Sequence, residues 1–284
     1  MSVAIEPLPG GVRSRSAAGL GSRGQRAIRF YAPAVIVFVG AIALWELVAG
    51  ALNLQTFVFP KPSAILAALT ANFWDGRFAL LPSARATLIE ALLGLAIGTI
   101  AGVAVAFATA RWGAARSMLL PLAVAANAIP IIAFAPLLNN WFGTLNPLSK
   151  ALMAAVLVFF PVMANVTRGL VQVEPAALEL MRSYAASEWT ILRKLRIPNA
   201  LPFFFTALKL ATTLSLIGAI VAEYFGGASY VLGRIIVQSA SALKFEVTWA
   251  AIILGAATGI AFYLVIVLLE RVFIPWHSSV RGEG

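Results

Sequence analysis

VTWAAIILGAATGIAFYLVIVLL, residues 247–269, runs for 23 residues without a charged side chain and is bracketed by Glu246 on one side and Glu270 and Arg271 on the other. A helix needs about 20 mostly apolar residues to cross the hydrocarbon layer of a bilayer, and this run supplies them. Five other stretches are mostly apolar over a comparable length: 30–51, 87–110, 117–138, 148–167 and 200–224. Over all 284 residues, 61% are hydrophobic and 11% charged, against roughly 45–50% and about 25% in an average soluble chain. A soluble fold of this size could not cover its surface with so few charges, and a chain this apolar has ample material to bury, which excludes disorder. The expected fold is all-α and integral to a membrane, with six spans and both termini on one side.

Composition also removes most enzyme chemistry. There is no cysteine, hence no disulfide framework, thiolate metal site or cysteine nucleophile. The single histidine, His277, cannot build a histidine-ligated metal centre or a serine–histidine relay within the spans. No catalytic, cofactor-binding or metal-binding residue is expected on this chain. The net charge of +10 does not signal nucleic acid, because the basic residues cluster beside the apolar spans, as the positive-inside rule requires.

Residues 117–149 carry no charge but are too long for one helix, and NNWFGTLNP at 139–147 reads as the turn that divides them. Counting Lys and Arg near the span ends with the N-terminus inside gives 14 inside and six outside, so both termini are expected in the cytoplasm of a bacterial cell. Residues 1–29 read as a flexible basic tail rather than a cleaved signal peptide, since the first apolar run starts late and is long enough to span. Residues 30–276 form the membrane domain, and 277–284 a C-terminal cytoplasmic tail. Residues 64–73, with Ile65, Leu66 and Leu69 on one face and Ser63 as cap, predict a short helix on the outer membrane surface.

The longest inside loop, EPAALELMRSYAASEWTILRKLRIP at 174–198, carries the functional reading. Pro175 suits the first turn of a helix running to about Tyr184. Ser187 can cap a second helix in which Trp189, Leu192 and Leu195 share a stripe and Arg193, Lys194 and Arg196 face elsewhere, with Pro198 ending it. Two short helices at an angle, exposed to the cytosol and fixed to a membrane helix, form a protruding lever.

The order Glu179, Ala185, Leu195, Ile197, Pro198 resembles the signature E-A-A-x-x-x-G-x(9)-I-x-L-P of binding-protein-dependent ABC importer permeases. Leu180 and Met181 stand where that signature has alanines, and Ala185 where it has glycine. Trp45-Glu46-Leu47, Phe59 to Ser63, Ile129-Pro130 to Leu138, Trp141-Phe142-Gly143, Phe159-Phe160-Pro161 and Val221 to Tyr224 resemble the nitrate/taurine/sulfonate branch, and the likeness covers residues 31–276. It implies a type I ABC importer permease fold whose lever is a coupling helix, with Glu179, Leu180, Met181, Arg182, Ser183, Tyr184, Ala185, Ala186 and Ser187 at the ATPase contact. No G-x-x-x-x-G-K-[ST] occurs here, so ATP and Mg would be held by a partner ATPase subunit. The resemblance implies two permease chains, two ATPase chains and an extracytoplasmic binding protein. The branch handles small polar solutes: nitrate, alkylsulfonates, taurine, bicarbonate, thiamine-precursor pyrimidines or riboflavin.

Ionisable groups inside spans are functional suspects by default. For Glu46 and Lys209 an interaction between helices is the expectation. Glu90 falls in the opening turn of the second span, and Glu223, at the outer end of the fifth, is weighed as an outer gate. Asn127, Thr212, Ser215 and Glu223 are the candidates for the solute path, because proline-broken helices often line one. Gly94, Gly98 and Gly102 are expected to bring two helices of one subunit close. The rivals are an ion-gradient-driven secondary transporter or channel, which would need a carboxylate relay, and a membrane hydrolase, which would need a histidine.

Overall fold

The computed structural model describes residues 19–52, 55, 59–112, 118 and 131–275. The described elements are helical. Two units are distinguished, dividing after Leu54. The first is a single helix, α1 (Gly19–Ala51), whose apolar part is Ala32–Ala51. It begins 11 residues before the span expected from residue 30, so part of the segment read as a flexible tail is helix.

The second unit holds α2 (Pro62–Ala71), α3 (Leu80–Arg111), α4 (Phe134–Phe142), α5 (Pro147–Val171), α6 (Pro175–Ser183), α7 (Glu188–Ile191), α8 (Ile197–Tyr224), α9 (Leu232–Ser241) and α10 (Phe245–Phe273). Among the described residues five helical runs are long and apolar enough to cross a membrane. Most of the expected third span, 117–138, lies outside the described residues.

The spine of this unit is α5, with α3 on one side and α8 on the other. Its core is built from Leu95 and Ala106 of α3, Val158, Val162 and Val166 of α5, and Ala207 and Ala211 of α8. In lipid, where no hydrophobic drive separates one apolar helix from another, close backbone approach decides which helices pair. A Cβ on Gly98 would lie 2.5 Å from the Ala155 carbonyl oxygen and 2.8 Å from Val158 Cβ, and one on Gly102 2.9 Å from the Phe159 carbonyl oxygen. The glycine row therefore seats α3 on α5 within one subunit, as expected. From the other side, Gly218 of α8 meets α5 at Ala154.

Two short elements differ from expectation. The turn assigned to 139–147 is shorter: α4 continues through Phe142, and the chain reverses at Gly143, whose φ of +96° favours glycine. Asn146 then caps α5, its Oδ1 accepting the Leu148 N–H at 3.0 Å. In α2, Pro62 takes the first turn and Lys61 is the cap, so Ser63 lies inside the helix. Ile65 and Ala68 are its buried residues, with Leu66 outward, and α2 packs against α10. The face is set by α10, which the local pattern did not show.

Thr109 and Thr167, near the ends of α3 and α5, join hydroxyls at 2.9 Å, and Gly94 and Gly98 meet the first half of α5. So α3 and α5 run parallel. The end of α3 lies beside the start of α7, since Arg111 shares a cavity with Glu188 and Arg196.

Candidate functional site

The segment between α5 and α8 stands out from the bundle. Pro175 occupies the first turn of α6 with Glu174 as cap, as its missing N–H allows. None of the α6 residues is buried, and Leu180, Tyr184 and Trp189 are 57%, 79% and 68% exposed. The C-terminus of α6 is a Schellman turn: the Ala186 N–H donates to the Met181 carbonyl at 3.0 Å and the Ala185 N–H to the Arg182 carbonyl at 2.9 Å. This places Ala185 at φ +52°, in the left-handed region that favours glycine. The glycine of the resembled signature thus has a conformational reason, and alanine adopts the same geometry here. Ser187 caps α7, accepting the Thr190 N–H at 3.2 Å.

Beyond α7 the structure departs from the two-short-helix reading. Residues 192–196 form a π-helical turn that leads directly into α8, so Glu188–Tyr224 is one helical run of 37 residues. Pro198 does not end the helix. It lacks the N–H of a regular turn, and its ring would clash with the carbonyl four residues back; the widened π turn just before it removes that conflict. Of the expected Trp189–Leu192–Leu195 stripe, Leu192 packs against the core and Trp189 turns outward, while Ile191 is the fully buried anchor. The lever is therefore a protruding hook only at α6; its second arm is the stem of a membrane helix.

Both ends of the hook are tied down. Asn199 Nδ2, at the start of α8, donates to the carbonyls of Gly169 at 2.7 Å and Gln172 at 3.0 Å, closing the C-terminus of α5. Sequence reading missed Asn199, because its partners lie 30 and 27 positions away. Beside the stem a cavity of about 540 Å³ is lined by Phe107, Arg111, Glu188, Trp189, Leu192 and Arg196.

Of the four polar residues expected along a path, three fall among the described residues. Thr212, Ser215 and Glu223 are fully buried within the unit. Thr212 donates to the Lys209 carbonyl at 2.7 Å and Ser215 to the Thr212 carbonyl at 2.9 Å, so each hydroxyl is satisfied by its own helix. Asn127 lies outside the described residues. The open face of α8 is instead Thr206, Leu210, Thr213 and Ile217, and Thr213 and Ile217 border an apolar cavity of about 370 Å³ reaching α9 and α10. Lys209 pairs with Glu270 of α10 at 2.9 Å, the helix–helix interaction expected for it.

At the end of the bundle away from α6, the glutamates that looked scattered along the chain come together. Glu90 lies in the third turn of α3 rather than an opening turn, because the helix starts at Leu80. Its carboxyl group is within hydrogen-bonding reach of Glu223, and both sit near Lys150 of α5, which falls in the first turn of the span expected from residue 148, counts among the outer basic residues, and is fully buried. Lys150 Nζ donates to the Thr144 carbonyl and to Ser149 Oγ at 3.0 Å. Ser149 in turn donates to Asn139 Oδ1 at 2.9 Å. Val231, the cap residue of α9, offers no side-chain acceptor; Thr87 Oγ1 accepts the Leu232 N–H at 3.0 Å and Glu223 Oε2 the Gly233 N–H at 2.6 Å. Side chains of α3 and α8 thus cap α9, with a carboxylate at the positive end of its dipole.

A helical bundle with apolar spans, close glycine seams and an exposed hook between two spans has the architecture of an integral membrane protein. Residues 80–278 match the family of binding-protein-dependent transport system inner membrane components, and the chain belongs to that family. It is 32% identical over 250 residues to a probable ABC transporter permease protein of Haemophilus influenzae, covering 87% of this chain and 98% of that one. It is 30% identical to the formylaminopyrimidine transport permease protein ThiX of Halalkalibacterium halodurans, over 86% and 95% of the two chains. It is 28% identical to the putative aliphatic sulfonates transport permease protein SsuC of Bacillus subtilis, over 88% and 87%. The chain is a multi-pass permease of the ABC importer class, in the nitrate/taurine/sulfonate branch, and the class implies ATPase and substrate-binding partners.

Proposed function

We propose that this permease couples ATP hydrolysis on a partner subunit to alternating access through the 174–198 segment. What carries the reading is α6: a helix with no buried residue, bare at Leu180 and Tyr184, yet held between α5 and α8 by the Asn199 bonds. An isolated nine-residue helix is marginal in water, so its exposed apolar side chains fit a partner groove. The contact comprises Glu179, Leu180, Met181, Arg182, Ser183, Tyr184, Ala185, Ala186 and Ser187. A push on α6 passes through the 184–187 turn into α7, from which the π turn and α8 continue as one helical run.

The parallel run of α3 and α5 supports a return crossing between them, the sixth span, partly formed by residues 117–138. Two copies of this chain pair and two cytosolic ATPase subunits bind ATP and Mg, while this chain holds no cofactor. A binding protein delivers a small polar solute, a sulfonate- or nitrate-like anion or a vitamin-type heterocycle, in keeping with the formylaminopyrimidine and sulfonate permeases among its relatives. The termini lie in the cytoplasm. The path runs along the open row Thr206, Leu210, Thr213 and Ile217, with Asn127, Thr212, Ser215 and Glu223 retained as residues to probe.

The test is the purified complex in liposomes with its binding protein, carrying Glu179→Arg or Arg182→Glu. Uptake falls at least tenfold and ATPase activity loses its stimulation by loaded binding protein. Full uptake with normal stimulation in both variants refutes the docking role.

A further inference from the structure

Glu90, Glu223 and Lys150 are 6%, 0% and 1% exposed, and they come from three helices, α3, α8 and α5. Two carboxylates and one ammonium leave a net negative charge in a dry site, a costly arrangement. The hydrogen bonding shows where the deficit lies. Glu223 Oε2 accepts the Gly233 N–H at 2.6 Å. Among the described residues Glu90 Oε2 and Glu223 Oε1 have no partner, although both are sealed from solvent and the two carboxyl groups face each other. Two acceptors cannot satisfy one another. A single proton between them turns one into a donor, fills both vacancies and brings the cluster to neutrality.

We propose that Glu90 and Glu223 form a buried proton-binding pair, with the proton on Glu90 and donated to Glu223, which bolts together α3, α8 and α9 at the end of the bundle away from α6. Glu223 is the anionic acceptor of the pair because its Oε2 already takes the Gly233 N–H at the start of α9, whereas no donor among the described residues reaches Glu90 Oε2. The other groups facing the pair are Lys150 from α5 and Tyr224 beside Glu223 on α8; α9 presents the Gly233 N–H. Separation of α3 from α8 would hydrate both carboxyls and free the proton, so closure of this end is linked to holding it. Proton binding here is independent of how α6 engages a partner.

The permease complex in nanodiscs at pH 8, where exposed carboxyl groups are ionised, is measured by infrared spectroscopy. The wild type shows the C=O stretch of a protonated carboxylic acid, shifted by carbon-13 labelling of glutamate. In Glu90→Gln the band disappears while the melting temperature stays within about 2 °C, because the amide donates the same hydrogen bond to Glu223. Glu223→Gln is the less stable variant, since the α9 cap and the counter-charge of Lys150 are lost together. Absence of the band in the wild type, its survival in Glu90→Gln, or failure of Glu90→Gln to fold overturns the proposal. Equal stability of Glu223→Gln and wild type overturns the assignment of the anion.

Discussion

Replacing Ala185 by glycine should steady the exposed hook. Ala185 sits at φ +52° as the penultimate residue of the α6 Schellman turn, and its N–H and that of Ala186 close the last turn. The left-handed conformation costs a Cβ-bearing residue about 1–2 kcal/mol, and glycine avoids it. Glycine returns about 0.4–1 kcal/mol of that through the greater freedom of the opened chain. The net gain is about 0.8 kcal/mol, which is about fourfold in the opening equilibrium at about 1.4 kcal/mol per tenfold. The assay is hydrogen–deuterium exchange of the Ala185 and Ala186 amides in the assembled permease. Their protection should rise about fourfold in Ala185→Gly, with amides in the α5 core unchanged. Ala185→Pro, which removes one bonded N–H and forbids positive φ, should abolish protection of the turn and with it ATP-driven uptake. Equal or faster exchange in Ala185→Gly would refute the reasoning, since it would mean that residue 185 is not held left-handed.

Gly98→Leu should destabilise the permease by about 3 kcal/mol, on the order of a severe overpacking defect, because even a Cβ there meets Ala155 and Val158 at 2.5 and 2.8 Å; detergent melting curves check it. Lys209→Met alone leaves Glu270 as an uncompensated buried carboxylate and should cost about 3 kcal/mol, whereas the double variant Lys209→Met/Glu270→Met should recover most of the loss in the same measurement. Asn199→Ala removes two hydrogen bonds that tie α5 to α8 and should cost about 2 kcal/mol at about 1 kcal/mol each. Its sharper readout is uptake per ATP hydrolysed, which should fall as the base of the hook loosens.

Membrane insertion and the hook were written into local sequence. Span length and uniform apolarity are properties of a stretch by itself, and the bilayer rewards them wherever they occur, so the spans at 87–110, 148–167, 200–224 and 247–269 could be placed from hydropathy alone. Pro175 in the first turn of α6 and Ser187 as the cap of α7 were legible for the same reason, since each acts on backbone groups only a few positions away. Glycines four apart foretold a close seam, since their spacing alone puts them on one helix face.

Tertiary structure decided everything that depends on which faces meet. Lys150 reads as an outer-end lysine of its span until the Gly143–Asn146 turn folds over it, and Glu90 and Glu223, 133 positions apart in the chain, become partners only when α3 and α8 pack beside α5. Residue type alone singles out Thr212 and Ser215; it is the helix rotation that turns them inward and leaves Thr213 on the open face. Pro198 read as a stop, yet a π turn absorbed it. For α3 and α8 the hydropathy pattern was nearly uniform around the helix, so lipid-facing and protein-facing sides carried little distinguishing signal, and packing at glycines and buried polar groups fixed the rotation.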